Sequence, residues 1–125
     1  MIALDASALL AFLLRERGHE RVRELLSEAC VSTVNFSEVL ARFARAGQDV
    51  VIVAEKLLAA PIEVVAFSTQ QAALAAALVR ETQAEGLSLG DRACLALARE
   101  RGVRVVTADK SWRRLKLPIE IETIR

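Results

Sequence analysis

Residues Ser88–Asp109 read SLGDRACLALARERGVRVVTAD. Over Ser88–Arg101 the apolar residues recur at helical spacing, with Cys94, Leu95 and Ala98 on one face and Arg92 and Arg99 on another. Gly102 then stops the helix, as a residue in the left-handed conformation does just past a helix end. Val103–Val106 follows at once, a short β-branched run suited to a strand buried on both faces. Helix, glycine, buried strand is the repeating unit of a parallel α/β sheet.

The same alternation extends outward in both directions. Strands are expected at Met1–Leu4, Cys30–Val34, Ile62–Phe67 and, after Pro118, Ile119–Thr123. Helices are expected at Ala6–Arg17, His19–Ala29, Phe36–Ala46, Asp49–Ala60 and Ser68–Glu85, with Gly18, Gly47 and Gly86 as further stops. Val50–Val53 is β-branched and suits a strand as well as a helix. The expectation is one domain over residues 1–125, an α/β three-layer sandwich with a central, mostly parallel sheet covered by helices on both faces. At 125 residues and 54% hydrophobic, the chain can bury a core without disulfides or structural metal. Ligands of such sheets bind beyond the carboxyl ends of the strands, where strand order reverses.

Composition removes several function classes. A net charge of +1 excludes a chain coated in positive charge and leaves room only for a local basic patch. Cys30 and Cys94 lie in apolar runs and read as buried thiols of a reducing compartment. The early apolar run Ala8–Leu14 is too short to span a bilayer and has no basic residue before it. The expected location is the cytoplasm, with no membrane contact.

Twelve glutamates accompany only four aspartates, and three of those aspartates fall at junctions. Asp5 ends the first strand, Asp91 opens the helix quoted above, and Asp109 follows the strand Val103–Val106. Glu38 opens another helix, in Asn35-Phe-Ser-Glu38. Each has a structural reading. Asp5 suits an N-cap, Ser88-Leu-Gly-Asp91 a capping box, Asp109 a turn, and Glu38 a partner for Arg42. Together they should lie at one edge of the sheet, where four carboxylates would raise one another's pKa values. A divalent cation resolves that repulsion. Oxygen donors without nearby His or Cys suit Mg²⁺, with Mn²⁺ as substitute. The sole histidine, His19, lies on a charged helix and reads as surface. Gly90 suits either an approach of a metal, its waters or a phosphate to the helix end beside Asp91, or packing of the helix against a neighbouring strand.

The motifs Ile2-Ala-Leu-Asp-Ala-Ser7, Asn35-Phe-Ser-Glu38, Leu87-Ser-Leu-Gly-Asp91 and Val106-Thr-Ala-Asp-Lys-Ser-Trp112 resemble those of the PIN-domain nucleases, above all the VapC-type toxins of toxin–antitoxin pairs. The resemblance covers almost the whole chain. It implies that Asp5, Glu38 and Asp91 are the three central acids and that Asp109 is the more variable fourth. It implies that Ser7 and Thr107 support the site and that Asn35 is the polar residue beside the second acid. It implies metal-dependent cleavage of RNA. With the oxygen-only donor set, the expected reaction is Mg²⁺-dependent hydrolysis of RNA phosphodiester bonds, Asp5 and Asp91 being the main ligands of one ion and Glu38 and Asp109 completing the site or extending it to a second. The partner it implies is an inhibitory antitoxin protein.

Arg92, Lys110, Arg113 and Arg114 flank the acids and are candidates for the RNA backbone; ordinary solvated charge is the alternative. Trp112 suits base stacking or core packing. The apolar faces around Leu9, Leu10, Phe12 and Leu13 suit a homodimer seam, a groove for a partner helix, or burial between layers. Two other functions share the motifs: an RNA-processing nuclease without antitoxin, and an inert scaffold of the same fold. A haloacid-dehalogenase phosphatase needs a second Asp where Ser7 stands. A receiver domain needs an Asp after the middle strand, where Ser68-Thr69 stands.

Overall fold

In the computed structural model, which describes residues 1–125, the inner strands send alternate side chains to opposite faces of one sheet. The strands are β1 (Ile2–Leu4), β2 (Ala29–Ser32), β3 (Glu63–Val65), β4 (Arg104–Thr107) and β5 (Ile121–Thr123). They are all parallel, in the order β3-β2-β1-β4-β5. Ile2, Leu4, Ala29, Val31 and Val106 enter one core, while Ala3, Cys30 and Val105 enter the other.

The first core is covered by α1 (Ala6–Leu13), α2 (His19–Leu25), α3 (Thr33–Arg45) and α4 (Val50–Ala59), through residues such as Leu9, Val22, Val39 and Leu57. The second is covered by α5 (Thr69–Glu81) and α6 (Leu89–Arg101), through Leu78, Leu95 and Leu97, with Trp112 closing its end. This is the expected three-layer α/β sandwich, its sheet parallel throughout.

Strand β1 is the pivot. The chain builds β2 and β3 on one side of it, then returns to build β4 and β5 on the other. Leu4 pairs with Val106, and the Asp5 amide donates to the Val106 carbonyl at 3.3 Å. Asp5 is therefore the first residue beyond the ladder, at the point where strand order reverses.

Several boundaries differ from the sequence reading. Helix α1 stops at Leu13, and Arg15 turns the chain at φ 54° before Gly18. The strand expected at Cys30–Val34 ends at Ser32, whose hydroxyl accepts from the Val34 amide at 3.2 Å and starts α3 three residues early. Asn35 and Glu38 therefore lie inside the helix and do not cap it. Val50–Val53 is helical, capped by Asp49 and anchored by buried Leu57. The 3₁₀ turn Lys110–Arg114 follows β4. The glycines at the four expected stops, Gly18, Gly47, Gly86 and Gly102, all adopt positive φ.

Candidate active site

The edge of the sheet beyond β1 and β4 is built around Asp5, only 4% exposed. Its Oδ1 caps α1 by accepting from the Ala8 amide at 2.8 Å. Thr107, next to it across the β1–β4 pairing, donates from its hydroxyl to Asp5 Oδ2 at 2.6 Å. The Ser7 hydroxyl lies 2.8 and 2.9 Å from the two carboxylate oxygens and donates to them. Both hydroxyls also accept from backbone amides: Ser7 from Ala108 at 2.9 Å and Thr107 from Asp109 at 3.0 Å. Each hydroxyl has one proton and gives it to Asp5, so their 3.2 Å mutual contact carries no hydrogen. Strand end, helix start and the next loop are thus tied through one carboxylate.

Burial pushes the Asp5 carboxyl up to about 6; the bonds from Thr107, Ala8 and Ser7 pull it back, and the charge of Asp91 adds to the rise. The sequence reading attributed such a rise to mutual repulsion, yet desolvation dominates here. No lysine, arginine or histidine pairs with Asp5, Glu38, Asp91 or Asp109. Cys94 of α6 is fully buried in the second core; desolvation first, then the charges of Asp5, Asp91 and Glu38 among others, hold its thiol well above the usual range.

Asp91 is half-buried and does form the capping box. Its Oδ2 accepts from the Ser88 amide at 3.0 Å, while its own amide donates to the Ser88 hydroxyl at 3.1 Å. This leaves Oδ1 unengaged. Glu38 reaches across from α3, with Oε1 accepting from Asn35 Nδ2 at 2.8 Å. The same Asn35 amide donates to the Gly90 carbonyl at 2.9 Å. The space left by Gly90 holds the Glu38 carboxylate, a different occupant from the metal or phosphate expected from sequence. Asp109 is exposed and turned toward its own 3₁₀ turn, its Oδ1 accepting from the Ser111 amide and hydroxyl at 2.9 and 2.7 Å.

The donor set is oxygen-only and lacks a cationic counter-charge, which fits a hard divalent ion. No three His, Cys, Asp or Glu side chains converge into a ready-made cage. Mg²⁺ keeps several waters and takes one or two carboxylates directly, so it does not require such a cage.

Of the flanking basic residues, Lys110 and Arg114 are exposed, whereas Arg92 donates to the Ala75 carbonyl at 3.0 Å and Arg113 donates to Thr123. Trp112 is 1% exposed and packs in the second core, so it has no face for a base. His19 is half-buried. No helix is long and apolar enough to cross a membrane.

A family model described as the PIN domain matches residues 2–117. No curated protein sequence matches the chain. Among solved structures, the fold is similar to a toxin–antitoxin complex from Klebsiella pneumoniae, with a TM-score of 0.77 at 17% identity over 100% of this chain and 98% of that one. It is similar to VapBC2 from Rickettsia felis bound to a DNA fragment from its promoter, at TM-score 0.75 and 17% identity over 98% of both chains. It is also similar to VapC20 from Mycobacterium tuberculosis, a sarcin-ricin loop cleaving toxin, at TM-score 0.72 and 15% identity over 94% of this chain and 96% of that one.

Proposed function

Since the chain belongs to the PIN-domain family, we propose that it is a divalent-metal-dependent endoribonuclease, hydrolysing RNA phosphodiester bonds, and the toxin of a toxin–antitoxin pair. The observation that carries this reading is a buried carboxylate, Asp5, its pKa raised further by the charge of Asp91, with no cation of the chain paired to either acid. A divalent cation held by Asp5 and Asp91, with Glu38 and Asp109 completing its shell, would supply Lewis-acid polarisation of the phosphate. Mg²⁺ is the expected ion, with Mn²⁺ able to replace it.

The protein's own groups divide the remaining work. Ser7 and Thr107 hold Asp5 by its occupied lone pairs and fix the direction of the free ones. Asp91 Oδ1 faces no protein donor, because its partner oxygen holds the helix cap. Glu38 has Oε1 fixed by Asn35, and its Oε2 orients the attacking water and accepts its proton. Lys110 and Arg114 hold the RNA backbone, with Arg92 and Arg113 joining them on rearrangement of their present bonds.

An apolar groove of about 310 Å³ lies among α1, α3 and α4, lined by Leu9, Phe12, Leu13, Phe43, Val53 and Ile62. We assign it to an amphipathic helix of the antitoxin, in keeping with the complexes named above. Val51, Ile52 and Leu58 on α4 are exposed and support a homodimer. The two buried free thiols suit the reducing cytoplasm, where RNA is the available substrate.

The test is cleavage of single-stranded and structured RNA with Mg²⁺ and with chelator. Asp91→Asn, which keeps the shape of the helix cap, is expected to lower cleavage by about a hundredfold or more while leaving the circular dichroism spectrum unchanged. Cleavage that persists in chelator sinks the mechanism.

A further inference from the structure

Gly90 lies in the first turn of α6, outside the left-handed region. Its backbone does not call for glycine, and glycine is a poor helix former. What glycine provides here is space. A Cβ built on Gly90 would fall on Glu38 Oε1, with Glu38 Cδ and Oε2 at 2.5 and 2.6 Å.

Asn35 completes the arrangement. It is 1% exposed, and its Nδ2 donates both to Glu38 Oε1 and to the Gly90 carbonyl. Both partners are acceptors only, so the amide cannot be turned over without losing both bonds. Glu38 itself is exposed and has three side-chain torsions, so without this hold its carboxylate would spread over many positions.

We propose that Gly90 is a positioning residue for Glu38: the missing side chain admits the Glu38 carboxylate onto the first turn of α6, and Asn35 latches it there. The role of Glu38 in the chemistry rests on the nuclease reading; the steric coupling does not. Because Glu38 can swing into solvent, a methyl group at residue 90 displaces the acid and spares the fold.

The experiment uses Gly90→Ala, Glu38→Ala and the double variant of the full chain, without metal for melting and spectra, then with Mn²⁺. Gly90→Ala is expected to melt at or above the parent, through the helix propensity gained. Its Asn35 side-chain amide signals should move to the positions seen in Glu38→Ala. Calorimetric titration should show Mn²⁺ affinity weakened about tenfold or more. In the Glu38→Ala background, Gly90→Ala should raise the melting temperature further than it does in the parent.

Unmoved Asn35 signals in Gly90→Ala, or melting shifts that simply add, overturn the proposal. So does undiminished Mn²⁺ affinity where the parent binds the ion. If Gly90→Ala alone fails to fold and the double variant folds, conflict with Glu38 is the cause and the proposal stands; if both fail to fold, it falls. A parent that binds no Mn²⁺ refutes the nuclease reading alone, since the spectra and the melting cycle still decide the positioning.

Discussion

Asp5 is a carboxylate placed where ionisation is unfavourable, and its protonation sets a pH dependence. In the folded chain it titrates near 6, against 3.8 when unfolded. Between those values the folded state binds a proton that the unfolded state releases, so stability falls as pH rises through that window. Above pH 6 the full penalty stands, about 3 kcal/mol from the two pKa values. Asp5→Asn is expected to stabilise the protein in chelator at pH 8 by about 1–3 kcal/mol, the gain vanishing toward pH 4. Added Mg²⁺ should raise the parent's melting temperature and not the variant's. A variant less stable than the parent at pH 8 in chelator contradicts this account of the buried charge. The place of Asp5 was legible because it directly follows the first strand, whereas Ser7 and Thr107 were singled out only through the family resemblance. The use of Gly90 was not, because the atom that fills its space comes from Glu38, on a different helix.

Elements were legible where one local signal stood unopposed, and blurred where two competed. The α6–β4 stretch has a cap, a glycine stop and a β-branched run, and the sequence reading missed its ends by only one residue. In Cys30–Val34, strand propensity competed with the capping ability of Ser32, and the cap prevailed. In α4, β-branched Val50–Val53 yielded to the Asp49 cap and to burial of Leu57 one turn on, as tertiary context overrides propensity. The 3₁₀ turn after β4 is held by Trp112, which plugs the second core at 1% exposure. Trp112→Ala is expected to cost about 3–5 kcal/mol, read by chemical denaturation. A loss near zero would place the indole outside the core.

For the whole molecule, alternation of strands and helices specified the parallel sandwich, while the order β3-β2-β1-β4-β5 comes from pairings between distant segments that no local pattern encodes. That order is what brings Asp5 beside Thr107, while α1, α3 and α4 on one face of the sheet form the apolar groove. Leu13→Glu, which places a charge in the groove, is expected to abolish co-purification of a co-expressed antitoxin and leave RNA cleavage by the free chain intact. Retained co-purification would move the partner to another face.

The hydrogen bond between Thr107 and Asp5 joins residues 102 positions apart. During synthesis Asp5 is made first and has no such partner until Thr107 follows. A growing polypeptide therefore lacks the finished Asp5 centre until β4 has been made and has paired beside β1.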